Sequence, residues 1–238
     1  MFNTLLPLVT LPLIGFVIVL FLPMSNDEEK ERGKVISLIF TVLAFLESLR
    51  LWLKFDYTTT DFQYVSSVEW THTTGLVFGL DGISLFFVIL TALLIPICLL
   101  ASWDTIKIML REYLLCFLGL EIILFGVFTV LDLLGFYILF EAVLIPMFLV
   151  IGVWGARTEK ITASYYFFFY TLVGSLLMLL SIFYIYSLTG TTDYLTLLNY
   201  SFDLEIQKVI FLCFFASLAV KIPKFPFHIW LPYAHVEA

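Results

Sequence analysis

The chain has 238 residues, of which 62% are hydrophobic and 13% charged, with a mean hydropathy of +1.06 and a formal net charge of −7. A soluble domain carries roughly 25% charged residues, so a water-soluble fold is excluded, and the absence of a basic stripe excludes a nucleic-acid partner. The apolar residues fall instead in blocks of about 20, the length that crosses a ~30 Å hydrocarbon core as helix. The expected fold class is therefore all-α, a polytopic membrane helix bundle surrounded by lipid.

Apolar blocks at 2–23, 35–54, 76–101, 112–131, 133–153, 161–188 and 207–232 predict about seven transmembrane helices. The first block has no basic residues before it and is too long for a signal-peptide core, so it is expected to be retained as a span. In the second, Glu47 and Arg50 lie three apart and share a helix face, which predicts a local ion pair. His72 falls in the connection before the third block and is expected to be inert. The fourth and fifth blocks are separated only by a turn around Asp132 and Gly135. Cys98, Cys116 and Cys213 lie far apart inside apolar blocks, without a C-x-x-C pair, so no metal or iron–sulfur ligand set is expected.

Lysine and arginine set the predicted orientation. Lys30, Arg32 and Lys34 fall in 24–34, Lys107 and Arg111 in 102–112, and Arg157 and Lys160 in 153–160. The alternating connections 55–75 and 189–206 contain neither residue type. The three basic loops are expected on the inner side of the membrane.

Three ionisable residues stand well inside the predicted spans. Glu121 is midway along the fourth, Glu141 lies ~12 Å into the fifth, and Lys221 lies ~20 Å into the seventh, at 1.5 Å per residue. A charge at the bilayer centre costs about 2.5–3.5 kcal/mol on insertion scales, so these groups must face protein or water. A buried lysine shifts its proton affinity readily and a nearby carboxylate counteracts that shift. Glu141 and Lys221 are thus candidate proton-relay residues, with a static helix-joining ion pair as the structural alternative. Glu121 is a weaker candidate of the same kind.

The run LAVKIPKFPFHIWLP (218–232) places Pro223 and Pro226 just after Lys221. Proline removes a backbone donor and clashes with the preceding turn, so the seventh helix is expected to break there. Broken helices at midplane recur along ion pathways. Lys224, His228 and His235 follow the break, and histidine can pass protons near neutral pH. An interfacial loop with Lys224 snorkelling and Trp230 and Tyr233 in an aromatic belt is the alternative.

LAVKIPKFPFHIWLPYAHVEA resembles the signature of the antiporter-like membrane subunits of respiratory complex I, NADH:ubiquinone oxidoreductase. DGISLFFVILT (81–91), FYILFEAVLIPMFLVIGVWGAR (136–157) and SYYFFFYTLVGSLL (164–177) narrow the resemblance to one mitochondrial-type member of that family. It implies a proton-translocating module of the membrane arm of a translocase, in the mitochondrial inner membrane, with the basic loops on the matrix side. Glu141 and Lys221 match the family's essential glutamate and lysine, and His228 and His235 match its histidines after the break. It also implies no redox active site here: FMN, iron–sulfur clusters and ubiquinone belong to partner subunits, and this chain is expected to hold no cofactor or metal. Family members have about fourteen spans built on inverted repeats. The reading of this chain is therefore an N-terminal helix group, 1–110, followed by an incomplete first repeat, 111–238. A second polypeptide or further segment is expected to complete it. The alternatives are a subunit of a multisubunit sodium/proton antiporter, or a split or truncated structural piece of the membrane arm.

Overall fold

A computed structural model describes residues 4–69 and 75–237, and His72 lies outside them. The helices are α1 (Leu6–Phe21), α2 (Asp27–Leu53), α3 (Gly82–Ala101), α4 (Leu110–Thr129), α5 (Leu133–Ala142), α6 (Leu144–Trp154), α7 (Lys160–Thr189), α8 (Tyr194–Leu197), α9 (Leu204–Lys221) and α10 (Trp230–Glu237). Strands β1 (Gln63–Glu69) and β2 (Gly75–Leu80) pair antiparallel. Among the described residues, five helical stretches are long and apolar enough to cross a membrane: α2, α3, α4, α5 with α6, and α7. α1 is a shorter apolar helix. The chain is a multi-pass, mostly helical membrane protein.

It divides into two compact units, residues 1–130 and 131–238. In the first, Leu5, Leu8, Ala44, Leu51, Leu80, Leu85, Val88, Ala92 and Phe125 form the core. The buried face of α2 is a stripe of mostly small residues, Gly33, Ser37, Thr41, Ala44, Ser48 and Leu51, at helical spacing. Lipid is as apolar as leucine, so helices associate through close packing of small faces rather than by hiding large side chains. The buried hydroxyls are satisfied by their own helix: Ser37 donates to the Gly33 carbonyl at 2.9 Å and Thr41 to Leu38 at 3.0 Å. Glu47 and Arg50 form the predicted local ion pair.

Three boundaries differ from the sequence reading. The second helix begins at Asp27 because Asn26 and Glu29 form a capping box, so Lys30, Arg32 and Lys34 lie on its first turns rather than in a loop. The start of the third apolar block is strand β2, and helix begins only after Asp81, whose carboxylate accepts from Ser84 N at 2.6 Å. A short apolar strand cannot be told from helix by hydropathy alone. The fifth span is broken after Ala142. Pro146 has no N–H for the Ala142 carbonyl and its ring crowds that turn, and the Val143 N–H turns to the Glu141 carbonyl instead.

In the second unit the Asp132 carboxylate caps α5 through Gly135 N at 2.6 Å and also accepts from the Thr192 hydroxyl. Leu133 N donates to the Thr192 carbonyl and Tyr194 N to that of Leu131, both at 2.9 Å, which clasps the α4–α5 turn to the loop after α7. α7 buries Ala163, Ser164, Thr171, Gly174, Ser175 and Ser181 along one face. α9 packs closest where α7 carries Gly174: a Cβ there would stand 2.7 Å from the Val220 Cβ. A Gly174→Leu variant is expected to lose about 1–3 kcal/mol through overpacking, with partial recovery on adding Val220→Ala. Thermal denaturation of the purified protein in detergent checks this; equal stability of Gly174→Leu and wild type would contradict it.

Candidate functional site

α9, which carries the predicted seventh span, is not among the five stretches long and apolar enough to cross a membrane, because Glu205, Lys208 and Lys221 lie within its 18 residues; the break at its end is stabilised bond by bond. α9 ends at Lys221. Pro223 cannot donate to the Ala219 carbonyl, and Lys224 N reaches back to it at 2.9 Å. That leaves the Val220 carbonyl, which accepts the indole N–H of Trp230 at 2.8 Å. Ile222 N keeps its helical bond to Leu218, and Phe227 N and Leu231 N close turns on Lys224 and His228. Trp230 is buried, edge-on to Phe167 at 5.3 Å, in a cluster with Leu144, Ile151, Ala163 and Ala234. Trp230 therefore does not belong to an exposed interfacial belt. It is the side chain that lets the helix stop in an apolar setting.

Stopping α9 there places Lys221 against the second break. Its ammonium donates to the Phe140 carbonyl at 2.7 Å and lies 3.1 Å from the centroid of the Phe140 ring. Carbonyls in the last turn of a helix lack intrahelical partners, and Phe140 is in the last turn of α5. The Phe140 ring is held in place by stacking on Phe136 at 5.3 Å. Glu141 is the next residue. Both its carboxylate oxygens are buried with no hydrogen-bond partner among the described residues. Lys221 and Ser175 are the polar groups near enough to act on it. The Ser175 hydroxyl donates to the Leu172 carbonyl at 2.7 Å.

The sequence reading had Glu141 and Lys221 as a relay pair meeting through a water-accessible gap, with a static ion pair as the alternative. The structure brings them to one place, yet the ion pairs among the described residues are all local, Lys30–Asp27, Arg32–Glu28, Lys34–Glu31, Arg50–Glu47 and Lys208–Glu205. The lysine instead rests one residue short of the carboxylate. Lys224 lies over the Phe215 ring at 4.9 Å and is exposed. His228 is exposed beside Phe225, and His235 is exposed on α10. Glu121 lies in the first compact unit, wholly buried in α4, with no hydrogen-bond partner for either oxygen among the described residues. No cluster of three metal-ligating side chains occurs among the described residues.

Sequence reasoning missed Phe140 and the role of Trp230. The signal for Phe140 was present in Pro146, since a proline four residues after Ala142 favours a break after Ala142.

Residues 130–238 match a family described as NADH:quinone oxidoreductase/Mrp antiporter, TM. The chain is 54% identical over 232 residues to NADH-ubiquinone oxidoreductase chain 4 of Metridium senile, covering 94% of this chain and 46% of that one. It is 51% identical to the same protein of Chondrus crispus, covering 100% and 48%, and 50% identical to that of Arabidopsis thaliana, covering 97% and 46%. The chain thus spans about half the length of the curated relatives it matches. Among solved structures it superposes on a chain of respiratory complex I from Thermus thermophilus with bound NADH, with TM-score 0.81 and 29% identity over 99% of this chain and 47% of that one. A chain of the membrane-bound sulfane sulfur reductase, an archaeal respiratory membrane complex, shares the fold at TM-score 0.81 and 22% identity, covering 97% and 47%.

Replacing Trp230 with Phe keeps the ring in its cluster and removes the N–H. The orphaned Val220 carbonyl should then cost about 1–3 kcal/mol, read as a lower melting temperature of the purified protein. An unchanged melting temperature would show that the carbonyl finds another donor.

Proposed function

We propose, from the premise that this chain is a homologue of NADH-ubiquinone oxidoreductase chain 4 along almost its whole length, that it supplies the glutamate–lysine half of a proton channel in the membrane arm of a respiratory NADH:ubiquinone oxidoreductase. The observation that carries this reading is the Lys221 ammonium, set inside the membrane domain at the end of a proline-broken helix, beside the unpartnered carboxyl of Glu141. An acid and a base at two helix breaks can hand a proton between helices, because each break frees backbone groups that also bind water. Glu141 and Lys221 are the exchanging pair. His228 and His235 continue the path beyond the break, and Glu121 is a further proton-holding carboxyl in the first unit.

Redox chemistry drives the module from elsewhere. FMN, iron–sulfur clusters and ubiquinone sit in partner subunits, and the remaining helices of the channel come from a further segment or second chain. The chain resides in the mitochondrial inner membrane with Lys30, Arg32, Lys34, Lys107, Arg111, Arg157 and Lys160 toward the matrix. Lipid covers its exposed apolar face.

Glu141→Gln removes the titratable group with little change of shape. In the assembled complex in sealed vesicles it should leave complex abundance unchanged and lower the protons moved per NADH oxidised by the share this subunit carries. Full coupling in that variant would contradict the proton role. Coupling that follows a sodium gradient instead of NADH oxidation would assign the chain to a sodium/proton antiporter.

A further inference from the structure

The apolar groove between α7 and α9 and the buried Glu121 both lack a second feature that says what meets them, whereas Phe140 makes two contacts to the proposed proton site. We infer that Phe140 is a positioning residue: its carbonyl and the face of its ring together hold the Lys221 ammonium one residue away from the Glu141 carboxylate. This rests on the reading of Glu141 and Lys221 as the exchanging pair.

The geometry argues it as follows. A primary ammonium has three donors. One is spent on the Phe140 carbonyl at 2.7 Å, and the charge lies over the Phe140 ring at 3.1 Å from its centroid. The attraction of a cation to an aromatic face strengthens when water is withdrawn, and Lys221 is half-buried at the end of α9. The alternative acceptor is immediately next in sequence, and it is vacant on both oxygens. A carboxylate would ordinarily be the stronger partner for an ammonium. The ring therefore supplies a second resting position for the lysine, whose charge is stabilised without closing the ion pair. A lysine held this way is not locked into a closed ion pair, whose rupture in an apolar interior is costly. The Phe136 stack fixes the ring on one side, and α5 ends at Ala142, one residue after Glu141.

The test uses the assembled, NADH-oxidising complex in sealed vesicles, scoring protons translocated per NADH oxidised and complex abundance separately. Phe140→Leu and Phe140→Met keep an apolar side chain and the backbone carbonyl but remove the π face. Phe140→Tyr keeps the face. The expected result is loss of coupling in the Leu and Met variants to the level of Glu141→Gln, at wild-type abundance, with coupling retained in the Tyr variant. Wild-type coupling in the Leu or Met variant, while Glu141→Gln is uncoupled, would overturn the inference and leave the proton role of Glu141 standing. Lower abundance with an unchanged ratio, failure of both apolar variants to assemble, or equal loss in the Tyr variant would each show that the ring serves packing alone, and would also overturn it. Full coupling in Glu141→Gln would instead remove the reading on which the inference rests.

Discussion

Backbone carbonyls inside a membrane domain must find donors, and the structure around Lys221 follows from that constraint. Pro223 takes away one donor and Pro146 another, so two spans are interrupted. The gaps are closed by groups that an unbroken helix would not need: the indole of Trp230 on Val220, the N–H of Lys224 on Ala219, and the ammonium of Lys221 on Phe140. The last of these is a titratable group. A structural repair and the proposed proton site thus share one hydrogen bond, which gives a reason for a charge to stand where an apolar residue would be cheaper.

The helices that carry the site are held by small faces. Gly174 admits Val220 to near contact, so α9 lies close against α7 just before Lys221. Ser175, one residue on, donates its hydroxyl to the Leu172 carbonyl of α7 itself and is a neighbour of Glu141. Large apolar side chains such as Leu180 and Phe211 point outward, at 62% and 65% exposure, the reverse of a soluble bundle and the arrangement expected where lipid is the solvent.

Much of this was legible in the residues, and what was not has identifiable causes. Lys221, Pro223 and Pro226 announced the broken seventh span because proline acts locally and a charge in an apolar run is conspicuous. The local pair of Glu47 and Arg50 followed from helical spacing. The hairpin at 63–80 was hidden because a six-residue apolar strand continues smoothly into an apolar helix; the Asp81–Ser84 capping box was the clue. The break after Ala142 was hidden because prolines also sit inside α1 and α3 without ending them, at Pro12 and Pro96. That Lys221 rests on Phe140 depends on which of two adjacent acceptors a flexible side chain reaches, and no spacing rule decides that. The resemblance to the antiporter-like membrane subunits was carried by motif stretches, and relatives named NADH-ubiquinone oxidoreductase chain 4 match the chain at 50–54% identity.

The central feature is a lysine resting on the backbone carbonyl and ring of Phe140, beside a Glu141 carboxyl with no hydrogen-bond partner among the described residues. A density map of the assembled complex, fine enough to place ordered waters, tests this most directly. It should show α9 ending at Lys221, the ammonium on the Phe140 carbonyl and ring, and water linking it to Glu141. A continuous helix through residues 221–230, or a dry, closed Lys221–Glu141 ion pair with the Phe140 ring turned away, would contradict it.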